Sequence, residues 1–287
     1  IVGTTGQTTN AASYQQTVAG FEFERVENVT IAADNSSVAK IYYKRSTITY
    51  TFEKNSNETW RDGTASSTIT KTGLYGAEFT APEIEKLGYS FNNWKSGGTA
   101  LTGNTFGAEN KTFTAYWTAV NYPITIHLNG GKLSGSTEDY EDELNIADNN
   151  SLVLTDFIPT RNNFTFAGYY TDENFTQAAP DVIDLVNNTN HLHDWNLDAK
   201  WTYTVTFNTN GGNTIAPIAE VLYTQAASAP AEPTKDGYEF GGWYTNSNLQ
   251  SSYAYTFGSA STTGNLTLYA KWNLATYTIT YHCEGGH

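Results

Sequence analysis

The chain has 287 residues, with 24 glycines, 20 tyrosines, no methionine and only 15% charged residues, a balance that favours strands and turns over helices. Its 29 acidic against 15 basic residues give a formal charge of −14. That charge argues against a nucleic-acid partner and against an anionic membrane surface, because both require a cationic face.

No run approaches the ~20 apolar residues of a membrane-spanning helix, and no cationic, apolar leader opens the chain at Ile1. The sequence is therefore expected to be a fragment or mature segment, without membrane insertion. A single cysteine, Cys283, provides neither a disulfide framework nor a zinc cluster, so stability must come from packed cores.

In chain order, residues 1–45 run from Gly6-Gln-Thr-Thr9 through Gly20-Phe-Glu-Phe-Glu24 to Val38-Ala-Lys-Ile-Tyr-Tyr-Lys44. Residues 46–118 open with Ile48-Thr-Tyr-Thr-Phe52, pass Leu87-Gly-Tyr-Ser-Phe-Asn-Asn-Trp94 and close with Phe113-Thr-Ala-Tyr-Trp117. The same grammar recurs over 119–202, as Tyr122-Pro-Ile-Thr-Ile-His-Leu-Asn-Gly-Gly131, then Pro159 to Tyr170, then Leu197-Asp-Ala-Lys-Trp201. It is clearest over 203–273, in Tyr203 to Gly212, Pro233-Thr-Lys-Asp-Gly-Tyr-Glu-Phe-Gly-Gly-Trp-Tyr244 and Leu268-Tyr-Ala-Lys-Trp272. Residues 274–287 start it again with Tyr277-Thr-Ile-Thr-Tyr281.

Trp94, Tyr169 and Trp243 lie 75 and 74 residues apart, whereas the closing Trp117, Trp201 and Trp272 lie 84 and 71 apart. Insertions thus fall between the middle and closing motifs, and a period near 75 marks a small domain repeated. Each motif alternates apolar and polar residues as a half-buried strand does. Asn-Gly-Gly reaches positive φ cheaply and allows a tight turn, while Gly241-Gly242 permits a bulge or a close approach. Tyr238, Phe240 and the two tryptophans Trp243 and Trp272 are expected to fill the core. Short helices are expected at 82–87 and 181–186, where aliphatic residues show helical spacing, although both are too short to stand alone.

Chemistry is sparse. His191 and His193 with Asp194 form a two-point metal candidate that lacks further ligands at usable spacing, so a polar loop is the expectation. The acidic run Glu138 to Glu143 lacks the spacing that wraps a cation, the glycine pairs precede no phosphate-binding helix, and Cys283 has no companion motif. No catalytic set converges, no cofactor is implied, and the chain is read as non-enzymatic. Tyrosines such as Tyr170, Tyr244 and Tyr253 outnumber what small cores hold, and are the candidates for stacking on a sugar or docking a protein.

The three motifs resemble the Listeria and Bacteroides repeat, or internalin B-repeat, in three tandem copies plus the start of a fourth. The copy at 46–118 departs from it, having Glu53-Lys-Asn-Ser-Asn57 in place of Asn-Gly-Gly and Lys95 in place of a tyrosine. Residues 1–45 resemble the second half of a mucin-binding-protein (MucBP) repeat. The resemblance implies a mainly β to α+β architecture of tandem β-grasp-like domains in an elongated, monomeric array on an extracellular bacterial surface. It also implies a stalk or spacer with an adhesin role. Recognition of a host glycan or protein, or an accessory role beside a secreted hydrolase, stays open as the alternative. Joints of a few residues, at 118–121, 201–203 and 273–276, are expected to limit bending.

Overall fold

The structure, a computed structural model, describes residues 2–282 and 284–285; Cys283 and Gly286 lie outside the described residues. The chain divides into two compact units, Ile1–Val120 and Asn121–His287.

In the first unit a hairpin of β1 (Phe21–Glu27) and β2 (Lys40–Arg45) precedes β3 (Thr47–Glu53), β4 (Thr59–Trp60), β5 (Thr68–Leu74), β6 (Ile84–Glu85), β7 (Tyr89–Ser96), β8 (Thr99–Ala100) and β9 (Lys111–Ala119). Five of these make one sheet in the order β5-β3-β9-β7-β8. The opening strand β3 and the closing strand β9 lie parallel at its centre, each with an antiparallel hairpin partner outside it. In β3 the alternation is kept residue by residue, with Ile48, Tyr50 and Phe52 buried. They pack with Trp60, Ile84, Trp94, Phe106 and Phe113.

The second unit holds β10 (Asn121–His127), β11 (Tyr140–Asn145), β12 (Ser151–Val153), β13 (Thr165–Tyr170), β14 (Val182–Asp184), β15 (Trp195–Asn208), β16 (Ile218–Leu222), β17 (Tyr238–Tyr244), β18 (Ala254–Tyr255) and β19 (Leu266–Leu274). Its upstream half repeats the arrangement of β3 and β9, with β10 parallel to β15 and flanked by β11, and β13 antiparallel to β15. The downstream half does so again, with β15 parallel to β19 and flanked by β16, and β17 antiparallel to β19. One strand, β15, therefore closes the upstream half of a single eight-stranded sheet and opens its downstream half.

The boundary expected at 202/203 falls inside this strand. Trp195, Leu197, Ala199, Trp201, Tyr203 and Val205 are all buried, a single period-two alternation that crosses the expected joint without a phase slip. Thr202, also buried, is paired on both edges, to Thr165 and to Leu222. A loop tie adds to the joint, since the Asn265 N–H donates to the Asn163 carbonyl at 2.7 Å. Gly264, at φ +85°, lies where an added Cβ would overlap that same carbonyl. Gly264→Ala is accordingly expected to cost about 2 kcal/mol or more through left-handed strain and displacement of the loop. Hydrogen exchange checks this, and the Asn265 amide is expected to lose its protection.

The two expected helices are absent, which corrects the helical reading. Ile84–Glu85 pairs with Thr59–Trp60 and Val182–Asp184 pairs with Ser151–Val153. In the second of these Ile183 and Leu185 are buried while Val182 and Val186 are exposed, a strand period over a run too short to nucleate a helix. The glycine-rich middle motifs do slip register, between Phe166 and Tyr169 and between Phe240 and Trp243. Tyr238, expected inside, is 39% exposed, with the Lys235 ammonium 4.7 Å from its ring centre.

Candidate functional site

The motifs that define the repeat are remote in sequence and meet at one place. After β10, Asn129 and Gly130 take positive φ, as do Asn210 and Gly211 after the opening half of β15. The side-chain amide of Asn129 donates to the Ala199 carbonyl at 3.1 Å, and that of Asn210 to the Ala270 carbonyl at 2.7 Å. The closing tryptophan reaches back to the same turn, with Trp201 Nε1 donating to the Leu128 carbonyl at 2.9 Å and Trp272 Nε1 to the Thr209 carbonyl at 2.8 Å. The glycine ending each turn must stay bare, because a Cβ on Gly131 or Gly212 would collide with the Trp201 or Trp272 ring. The basic residue of the middle motif completes the knot. Arg161 donates to the Asn129 carbonyl and Lys235 to the Asn210 carbonyl, each at 2.9 Å.

Most of the signature's polar groups therefore bond within the fold, and the motifs specify a folding device. In the first unit, which lacks Asn-Gly-Gly, Glu58 replaces the turn carbonyl. It is 3% exposed, accepts from Trp117 Nε1 at 2.7 Å, and accepts from the Asn55 backbone and side-chain amides. The sequence reading missed this residue, and a glutamate just past an otherwise polar turn is a weak signal by itself.

The expected aromatic candidates separate. Tyr253 is 48% exposed, whereas Tyr244 is 7% exposed and belongs to the core, which corrects its assignment to the surface. Period-two alternation places Trp243 and Tyr244 on opposite faces of β17, yet both are buried. Tyr170 is half-buried, edge-on to Phe175 and beneath the Lys200 ammonium.

His191 and His193 bracket Trp195 instead of converging on a common point. His193 stacks on the indole at 4.4 Å and His191 meets it edge-on at 5.2 Å. The Nδ1 of His191 accepts from the Asp184 N–H at 2.9 Å, and its Nε2 lies 2.9 Å from the Asn188 amide. Asp194 offers its backbone carbonyl to His193. Both ring nitrogens of His191 are thus engaged, and the cluster organises a loop over Trp195.

Nearby carboxylates are also bonded locally. Bonds from the Asn187 side chain and backbone hold Asp184 below the usual carboxylate range, and His127, followed by the Leu128 N–H, does the same for Asp139. A depressed folded-state value contributes stability above the unfolded value near 3.9, and that stability is lost as pH falls through the folded value. The denaturation midpoint is expected to stay flat from pH 7 to about 5 and to fall below about 4. Asp184→Asn should shrink the fall, as read by urea titration at each pH.

Against known families, residues 122–192 and 203–271 each match the Listeria-Bacteroides repeat domain. The second unit carries two tandem copies of it. A protein of Evansella cellulosilytica named "Putative Gly-rich membrane protein" is 30% identical over 231 residues, 76% of this chain and 25% of that protein. A second from the same organism, "Putative membrane protein", is 30% identical over 178 residues, 61% of this chain and 24% of its own length. Internalin H of Listeria monocytogenes is 31% identical over 125 residues, 42% of this chain and 21% of its own length. The chain thus spans about a quarter of the length of the curated relatives it matches.

The two repeats differ in charge, with 13 acidic residues over 121–202 and 4 over 203–274. The second unit carries 18 of the 29 acidic residues and 5 of the 15 basic ones. Four of those five cations, Arg161, Lys200, Lys235 and Lys271, sit against aromatic rings. The acidic run of the upstream repeat forms the outer strand β11, where charge discourages edge-to-edge association. Between the repeats lies an open cleft of about 860 Å³, lined by Lys132, Arg161, Asn162, Asn163, Thr262 and Thr263 among others. Among the described residues no helix is long and apolar enough to cross a membrane.

Proposed function

We propose that the chain is a spacer region of a bacterial cell-surface or secreted protein, an elongated monomeric array that holds another part of the polypeptide away from its anchor and serves adhesion. The observation that carries this reading is β15, 14 residues long and roughly 45 Å at the usual strand rise, which serves two repeats at once. A covalently continuous, doubly paired strand transmits direction where a linker would lose it. The saturation of the signature residues within the fold fits the same reading, in which the segment acts without catalysis and without a cofactor.

In this reading residues 46–118 are a divergent third copy, sharing the parallel pairing of opening and closing strands and a closing tryptophan. Residues 1–45 are a partial MucBP-like repeat. The parallel pairing of opening and closing strands, each with an antiparallel neighbour outside it, supports a β-grasp-like reading of each copy, with a two-stranded ladder in the upstream copies in place of a helix. Small-angle scattering tests the spacer. A compact globule of this length has a radius of gyration of about 19 Å; a value well above that is expected, and a value near it contradicts the proposal.

The second reading, binding of a host glycan or protein, is favoured by exposed Tyr253 and by the polar cleft between the repeats. It predicts that surface-glycan or host-protein binding falls on Tyr253→Ala while the fold is unchanged.

A further inference from the structure

The spacing from a closing tryptophan to the next opening tyrosine differs between joints. It is two residues from Trp201 to Tyr203, but five from Trp117 to Tyr122 and five from Trp272 to Tyr277. Successive side chains of a continuous strand point to opposite faces, so an even spacing within one strand keeps the next core on the same face. Burial follows this rule. Trp201, Tyr203 and Val205 keep one parity.

The hydrogen bonds change with the spacing. Three residues past Trp117, the Val120 N–H donates to the Gly88 carbonyl, and three past Trp272, the Ala275 N–H donates to the Gly237 carbonyl, both at 3.0 Å. Each of these bonds falls one residue past the end of the strand, β9 ending at Ala119 and β19 at Leu274, and still goes to the strand's own domain. Three residues past Trp201, the Thr204 N–H instead donates to the Asn265 side chain of the downstream repeat at 2.8 Å. Asn163, the counterpart of Gly88 and Gly237, turns its carbonyl to the Asn265 N–H. At the two-residue joint the strand has therefore changed partners before its own half of the sheet is finished.

We propose that this spacing is a coupling code. A spacing of two fuses neighbouring repeats into one cooperative mechanical element, and a spacing of five leaves each domain to unfold by itself. The code goes beyond the spacer reading and holds whatever the array carries, since it concerns only how load and unfolding pass from one repeat to the next. An array would then alternate fused pairs with independent domains according to a number legible in its sequence.

Single-molecule stretching of the full chain between terminal handles tests it. The span from Asn121 to Leu274 is expected to extend in one step, releasing about 150 residues or roughly 50 nm of contour length at 3.3–3.6 Å per residue. Two separate steps of roughly half that length overturn the proposal. Inserting three residues between Trp201 and Thr202, which restores the spacing of five, is expected to split the single step in two. A folded insertion variant that still extends in one step overturns the code equally. If the insertion prevents folding, the record of the unaltered chain decides alone. The spacer reading can fail by scattering while the single step persists, so the two failures are distinguishable.

Discussion

Trp201→Ala is expected to destabilise both repeats of the second unit together, by about 3–5 kcal/mol. Trp201 is 1% exposed, and its ring fills the space over Gly131 while its Nε1 satisfies the Leu128 carbonyl. Truncation leaves a cavity that adds to the lost transfer free energy, and it removes one of the two donors to the Leu128 carbonyl, which keeps the Gly131 N–H at 2.9 Å. The residue also immediately precedes Thr202 and Tyr203, where pairing passes from the upstream half of the sheet to the downstream half. Denaturant titration followed by far-ultraviolet circular dichroism should show one transition displaced to lower midpoint. A transition for residues 203–274 at the unaltered midpoint would show that the loss stays within the upstream repeat. Trp272→Ala is expected to cost less, because Trp272 is only partly buried.

The second large effect lies in the first unit. Glu58→Ala removes the acceptor of Trp117 Nε1 and of two Asn55 donors; Asn55 is exposed and can turn to water, so the loss centres on the half-buried Trp117 indole. Hydrogen bonds to a charged acceptor contribute about 1.5–3 kcal/mol, and a buried donor left unpaired adds to the loss. A destabilisation of about 2–4 kcal/mol is expected on that basis, against a smaller one for Glu58→Gln, which keeps an acceptor oxygen. Equal stability of Glu58→Ala and the unaltered chain would mean that water replaces the carboxylate. Trp117 indole exchange, followed by nuclear magnetic resonance, distinguishes the two outcomes.

The elements that the sequence revealed most fully are those in which local chemistry and tertiary packing agree. Ile48, Tyr50 and Phe52 alternate and are buried; Asn129 and Asn210 reach positive φ in the turns that Asn-Gly-Gly announces; the glycines of the middle motif mark a register slip. The misplaced helices show the opposite case. At Pro82 to Leu87 and Asp181 to Val186 a six-residue window fits either period, and a ladder partner far along the chain, Thr59–Trp60 or Ser151–Val153, decides the outcome.

Tyr244 is expected outside because tyrosines outnumber what small cores hold, but after the register slip it pairs with Ala254 and is buried together with Trp243. His191 and His193 resemble a ligand pair in sequence because spacing says nothing of Trp195 between their rings. The fused joint was legible in principle. Trp201, Thr202 and Tyr203 leave no room for a linker, and the even spacing preserves the buried face, yet the habit of ending a domain at its closing motif hides a strand that belongs to two.

Residues 201–203 are strand and not hinge. Double electron–electron resonance on the full chain measures this, with spin labels on Glu141→Cys in β11 and Glu239→Cys in β17, both exposed strand positions, and Cys283, the one native thiol, replaced by serine. A single narrow distance distribution, unchanged by salt, is the result predicted for two repeats fixed to one strand. A broad or multimodal distribution would contradict it, and would return the joint to an ordinary flexible linker.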